Sequence, residues 1–279
     1  MKHTPFGILA TTCAAALALS ACGAGTSGGG QPGGGASGGG DALRVGIKFD
    51  QPGMGLKKGE EYSGFDVDVA RYVAKELGKT PQFSEAPSPQ RETLLKTGQL
   101  DMIVATYSIT DKRKNEVGFA GPYFIAGQDL LVRTDENAIK GPDTLTGKKL
   151  CSVKGSTPAQ KVKDEHPDVQ LQEYDTYSKC VEELVNGTVD ALTTDDTILA
   201  GYASQEQYSG KLKVVGNTFS EEKYGIGLPK DNADMCQKVT DALKKMIDSG
   251  EWQKIVDANF GQAGFKPGPG NPPTPAACG

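Results

Sequence analysis

The sequence predicts an α/β protein of two lobes joined by a two-strand hinge, made by building one unit of structure twice. The first observation behind this is an internal near-repeat. Residues 94–106 read Leu-Leu-Lys-Thr-Gly-Gln-Leu-Asp-Met-Ile-Val-Ala-Thr, and residues 183–195 read Glu-Leu-Val-Asn-Gly-Thr-Val-Asp-Ala-Leu-Thr-Thr-Asp. Gly98 matches Gly187, Leu100 matches Val189, Asp101 matches Asp190, Ile103 matches Leu192 and Thr106 matches Asp195. Each copy is a helix end, a glycine cap and a strand that closes on a polar residue. The second observation is that the order strand-helix-strand-helix-strand recurs around both copies. The third is length, since 279 residues suffice for two lobes with separate cores.

The chain opens with Lys2 and His3, an apolar run from Phe6 to Leu19, and then Leu19-Ser20-Ala21-Cys22. A basic start, a short hydrophobic stretch and small residues before the break describe a secretory signal over residues 1–21, too short to span a bilayer as a helix. The Leu-Ser-Ala-Cys ending is similar to a bacterial lipobox, which implies cleavage before Cys22 and a lipid on its thiol. Cys13 falls inside the leader. Residues 22–40 are Gly/Ser/Ala-rich and form an expected flexible tether.

The folded part begins near Asp41. Leu43–Phe49 alternates as a strand does and ends in Lys48, Phe49 and Asp50. Gly64–Gly78 is an amphipathic helix with Phe65, Val69, Val73 and Leu77 on one face and Asp66 and Asp68 at its N-terminal dipole. Ser88-Pro-Gln-Arg-Glu opens the next helix and puts Arg91 in the first turn, where the dipole disfavours a cation. Met102–Ala105 reads as a buried strand running into Thr106, Ser108 and Thr110, followed by Asp111 and Arg113. Hydroxyls and backbone N–H groups at such a strand end can receive a carboxylate, and a guanidinium can hold it with two parallel bonds. Gln128–Arg133 leaves the first lobe as a hinge strand.

The second lobe repeats the plan: strand Lys149–Lys154, turn Gly155–Pro158, a helix, strand Gln170–Tyr174, helix Thr176–Val185, and strand Val189–Thr194 ending at Asp195. Phe219–Leu228 returns as a second hinge strand. A final helix is expected from Asp231 onward around Ala242, Leu243, Met246, Trp252, Ile255 and Phe260. The division is then 41–130 with 222–262 for lobe 1, 131–221 for lobe 2 and an irregular Pro/Gly-rich tail over 263–279. In open α/β sheets ligands sit at the carboxyl ends of the strands, so facing lobes would set Arg113 and Asp195 on opposite walls of one cleft. That pair suits an α-amino acid. Cys151 and Cys180 are expected to form a disulfide, with two buried thiols as the alternative, and Cys236 with Cys278 is a candidate second bridge.

A net charge of −5 with no basic stripe argues against nucleic acid. Of 2 histidines one lies in the leader, leaving His166, which disfavours His-dependent acid–base chemistry and a His-rich metal site. No Gly-x-Ser-x-Gly, His-Glu-x-x-His or phosphate-cradling loop is present. No cofactor and no metal is expected. Asn186-Gly-Thr matches a glycosylation sequon but reads as a turn in a bacterial lipoprotein.

Gly64-Phe-Asp-Val-Asp68, Gly98-Gln-Leu-Asp101, Ser108-Ile-Thr-Asp-Lys-Arg113 before Phe119-Ala-Gly-Pro-Tyr-Phe124, and Gly155-Ser-Thr157 together resemble the bacterial family 3 extracytoplasmic solute-binding proteins, the amino-acid receptors of ABC importers. The resemblance runs from residue 43 to 260 and implies the periplasmic-binding-protein type II fold, closing on its ligand. It is nearest to the glutamate/aspartate binders. That implies Arg113 for the ligand α-carboxylate with Thr106 and Ser108 beside it, Thr157 from the second-lobe turn, and Asp195 for the ammonium. It also implies Lys48 and Arg91 for the side-chain carboxylate, Lys48 standing where those relatives have Arg. The implied partners are L-glutamate or a related amino acid, a permease with its ATPase, and the membrane through the lipid; a monomer is expected. The alternatives are a receptor for glutamine or another polar amino acid, and a dehydratase on the same fold.

Overall fold

The repeat carries one acid in each copy at the same place, and both acids do the same mechanical job. In the computed structural model, which describes residues 41–261 and 264–278, Asp101 accepts the Arg44 backbone N–H at 2.8 Å and Asp190 accepts the Lys149 N–H at 2.9 Å. Each carboxylate thus ties its own repeat to a neighbouring strand of the same lobe. The expected signal sequence, Cys22 and the tether lie outside the described residues.

The first lobe is β1 (Ala42–Ile47), a small three-stranded sheet of β2 (Asp50–Gln51), β3 (Gly55–Lys58) and β4 (Glu61–Ser63), then α1 (Phe65–Glu76), β5 (Thr80–Glu85), α2 (Arg91–Lys96), β6 (Met102–Ile103), α3 (Asp111–Lys114) and β7 (Gly118–Ala126). The second holds β8 (Gln128–Arg133), β9 (Lys149–Val153), α4 (Thr157–Glu165), β10 (Gln170–Tyr174), α5 (Tyr177–Val185), β11 (Ala191–Asp195), α6 (Asp196–Ala203) and β12 (Leu212–Val214). The chain then returns as β13 (Glu222–Leu228) and ends in α7 (Ala233–Asp248) and α8 (Glu251–Phe260). The sheet orders are β5-β1-β6-β13-β7 and β10-β9-β11-β8-β12. In both, the first three strands are parallel and the next is antiparallel to them. The repeat seen in sequence is therefore a repeat of topology.

The crossing between sheets falls at Gly127, a little before residue 130, because Gln128 already pairs with Asp195 in the second sheet. One expectation needs correcting. The single final helix is two, because Gly250 takes a left-handed conformation at φ 73°, one that glycine adopts without the Cβ clash. The break lets α8 turn back so that Trp252 packs on Phe65 and Phe124 and donates its indole N–H to the Tyr123 carbonyl at 2.8 Å. With α7 and α8 both against it, α1 buries Val67, Ala70 and Ala74 as well as Phe65, Val69 and Val73 of the expected stripe, while Leu77 caps the helix half-buried.

The tail is irregular but tied down. Asn271 bonds both the N–H and the carbonyl of Ile125, Ala276 donates to the Gly121 carbonyl at 2.8 Å, and Cys278 is bonded to Cys236. It thereby covers the edge strand β7, whose backbone would otherwise be open to pairing. Cys151 and Cys180 are bonded across 29 residues inside the second lobe, joining β9 to α5. On the chain-entropy model a loop of that length contributes about 3–4 kcal/mol. Replacing both with Ala should lower the denaturant unfolding free energy by about that amount. An unchanged midpoint would mean the bridge does not constrain the unfolded chain.

Candidate ligand-binding site

The carboxyl ends of the parallel strands in both sheets face one another, and the loops leaving them line one cavity between the lobes. From the first lobe come Gln51, Ser88, Arg91, Thr106, Ser108 and Arg113; from the second come Ser156, Thr157, Pro158, Tyr177, Asp195 and Ile198. Thr106, Ser108, Arg113, Arg91, Thr157 and Asp195, each singled out in the sequence, meet here. Lys48 does not line the cavity.

Arg113 is placed by a one-turn helix whose cap is Thr110, its hydroxyl accepting the Arg113 N–H at 3.2 Å. Its guanidinium spans the cleft. Nη1 donates to the Ser108 carbonyl at 2.8 Å on its own lobe and to Thr157 Oγ1 at 2.9 Å on the other, while Nη2 donates to the Gly155 carbonyl at 3.3 Å. Glu92 lies 3.4 Å from Nε. Thr157 is held at the head of α4 because Ser156 caps that helix, accepting the Ala159 N–H.

Arg91 is 3% exposed. Its Nε donates to the Ala86 carbonyl at 3.3 Å, its guanidinium lies 5.1 Å from the centre of the Tyr107 ring, and among the described residues no carboxylate comes within ion-pairing distance of it. Arg113 lies over the same ring at 4.8 Å, so one aromatic face serves both cations. Burial, and then Arg113, press the Arg91 pKa down.

Thr106 has φ 46°, a left-handed conformation that a β-branched residue adopts only when held. The holder is Asp66 in the first turn of α1, which accepts the Thr106 N–H at 2.7 Å and the Tyr123 hydroxyl at 2.7 Å. The twist turns the Thr106 hydroxyl toward Gln51 Oε1 at 3.2 Å, both in the cavity wall. Burial pushes the Asp66 carboxyl up to about 7.

Asp195 ends β11, heads α6 and is 3% exposed. Oδ2 accepts the Tyr224 hydroxyl at 2.6 Å; Oδ1 is buried with no hydrogen-bond partner. Burial, with Glu222 next, holds this carboxyl well above the usual carboxylate range. A cationic group in the cavity would relieve both problems. Lys48, 1% exposed, places Nζ 3.3 Å from Asp50 Oδ1, and burial lowers its pKa while Asp50 opposes the shift.

Sequence reading missed Tyr107, Asp66 and Tyr224 as supports. Tyr107 stood in plain view between Thr106 and Ser108. Asp66 was read only as a helix-dipole acid, and Tyr224 arrives from the distant hinge strand with no local signal.

Two α/β lobes of matching topology around a polar cleft define a type II periplasmic binding protein. A family model described as bacterial extracellular solute-binding proteins, family 3, matches residues 43–262, and the chain belongs to that family. The glutamate-binding protein GluB of Corynebacterium glutamicum is 46% identical over 91% of this chain and 90% of that protein. The ABC transporter glutamine-binding protein GlnH of Bacillus subtilis is 37% identical over 77% of this chain and 80% of that one. Among solved structures, an ancestral arginine-binding protein bound to arginine superposes with a TM-score of 0.74, at 36% identity, over 78% of this chain and 98% of that one.

Asp66 makes a pH test of the site's scaffold. Its folded pKa of about 7 lies above the ordinary 3.8. Between those values the folded state holds more protons than the unfolded one, so stability falls as pH rises through the window. The unliganded protein should therefore lose more denaturant stability between about pH 5 and about pH 7.5 than Asp66→Asn does. Parallel pH profiles for the two would show that Asp66 is not a buried, proton-loaded acid.

Proposed function

We propose that this chain is the substrate-binding receptor of an ABC importer and that it takes L-glutamate between its lobes. The observation that carries this is a pair of buried groups of opposite charge in one cavity, neither with a counter-charge. Among the described residues Arg91 has a backbone carbonyl but no carboxylate, and Asp195 has the Tyr224 hydroxyl on Oδ2 but no donor on Oδ1. A ligand that brings an ammonium for Asp195 and a carboxylate for Arg91 neutralises both, and a second carboxylate engages the fork of Arg113 with the Thr106, Ser108 and Thr157 hydroxyls beside it. Glutamate, or aspartate with a shorter reach, is the amino acid with that charge pattern.

The relatives support the class and part of the choice. GluB is named a glutamate-binding protein, which favours glutamate, and GlnH is named an ABC transporter protein for glutamine, which keeps glutamine as the second reading. Arginine, the ligand of the ancestral structure, is disfavoured here. Its guanidinium would approach Arg91, whose charge Arg113 already disfavours. A binding role fits better than an enzymatic one because the cavity wall pairs cations with one acid and holds no histidine; His166 ends α4 and does not line the cavity. The Leu19-Ser20-Ala21-Cys22 ending supports a lipid on Cys22, and the glycine-rich stretch after it would let an anchored monomer reach the permease and its ATPase.

Calorimetry with glutamate and glutamine tests the assignment. Glutamate should bind more tightly, and Arg113→Ala should abolish binding of both. Arg91→Met should weaken glutamate by about 100-fold or more, the usual cost of stripping one partner from a buried ion pair, while changing glutamine far less. Equal losses for the two ligands would remove Arg91 from the side-chain carboxylate.

A further inference from the structure

Lys48 is the buried cation that the cavity does not use, and what it faces is a contact between the lobes. Its Nζ sits 3.3 Å from Asp50 Oδ1, an oxygen with no hydrogen-bond partner of its own. The other oxygen of the same carboxylate reaches across the cleft to α5. Oδ2 accepts the Tyr177 N–H at 2.9 Å and the Ser178 N–H at 3.3 Å. These are the first donors of α5, which no carbonyl of the helix itself can satisfy. Thr176 fills the next, at Lys179 N. Asp50 thus completes the cap of a helix in the opposite lobe, at the end where the dipole favours an anion.

Two further contacts converge on the same loop. The Tyr202 hydroxyl, from α6, donates to the Asp50 backbone carbonyl. One residue earlier, Gly201 lies so close to the loop that an added Cβ would stand 1.9 Å from the Pro52 carbonyl oxygen. Only a glycine on that face of α6 lets the lobes meet in this way. None of these contacts includes a residue of the cavity wall except Tyr177, which takes part through its backbone.

We infer that the Asp50–Pro52 loop is a ligand-independent closure latch, and that Lys48 is a positioning residue that holds the Asp50 carboxylate turned toward α5 rather than a contact for the ligand. This rests on the receptor reading only in that closure is what captures the ligand. The latch sets the fraction of unliganded molecules whose lobes are together, and apparent affinity for any amino acid scales with that fraction. Lys48 therefore raises affinity without choosing the ligand.

The test uses the full chain, freed of bound amino acid by denaturing dialysis and refolded. Without ligand, Asp50→Asn and Lys48→Met should each speed amide hydrogen exchange at Tyr177 and Ser178 by about tenfold, the range for hydrogen bonds to a charged group. Lys48→Met should weaken glutamate and glutamine by the same factor, about ten- to a hundredfold. Gly201→Ala should do likewise while leaving the unliganded thermal midpoint unchanged or raised, since alanine is the better helix former. A Lys48→Met loss confined to glutamate would overturn the inference by returning Lys48 to the ligand. Unaltered exchange at Tyr177 and Ser178 in Asp50→Asn, or full affinity in Gly201→Ala, would overturn it by removing the latch. Because exchange is read without ligand, an error over which amino acid binds would leave that result standing.

Discussion

A charge taken out of water must find a counter-charge or a full set of hydrogen bonds, or it destabilises the fold by several kcal/mol. Most of this cleft obeys. Lys48 has Asp50, the Arg113 guanidinium has Glu92 and three hydrogen-bond acceptors, and Asp66 has two donors. Arg91 and Asp195 are the exceptions, one from each lobe, both turned to the same small cavity. Structural ion pairs would have been easy to complete with one more side chain. Neither is completed among the described residues, and on the proposed reading an amino acid charged at both ends would complete both.

The scaffold spends several residues on holding that geometry. Tyr107 gives both guanidinium groups a face to lie over without supplying a neutralising anion. Asp66 keeps Thr106 in a conformation its own side chain resists, and Trp252 anchors the carbonyl of Tyr123, whose hydroxyl returns to Asp66. The chain of contacts runs from the last helix through the core of the first lobe to the floor of the cavity. It explains why α8 must turn back at Gly250 instead of extending α7.

Much of this was legible in the sequence because it is local. The Gly98-Gln-Leu-Asp101 and Gly187-Thr-Val-Asp190 copies announce two equivalent units, and their acids bond equivalent strands. Arg91 stood out because a cation in the first turn of a helix works against the dipole. Lys48 is the position where likeness and geometry part. The resemblance sends it to the ligand's side chain, whereas its ammonium lies 3.3 Å from Asp50, two residues on. That depends on where a loop folds back and on a helix more than a hundred residues away, neither of which periodicity reveals. Tyr224 was invisible for the same reason, since its partner Asp195 is brought to it by the second crossing between lobes.

The two kinds of contact across the cleft have different consequences for transport. On the proposed reading, bonds made through a ligand, at Asp195 and Arg91, would vanish when it leaves. Bonds made between the lobes themselves, at Asp50, Tyr202, Thr157 and Gly155, need no ligand and would draw the empty protein toward the same shape. Shifting a two-state equilibrium from 1:99 to 99:1 takes a difference of about 5.5 kcal/mol between the states. Interlobe hydrogen bonds, worth about 1 kcal/mol net and about 1.5–3 kcal/mol where a charged group takes part, cover much of that. Relief of two buried charges by a ligand would add several kcal/mol more. On the proposed reading, the interlobe bonds bring the empty lobes near balance and a ligand of the right charge pattern makes closure prevail.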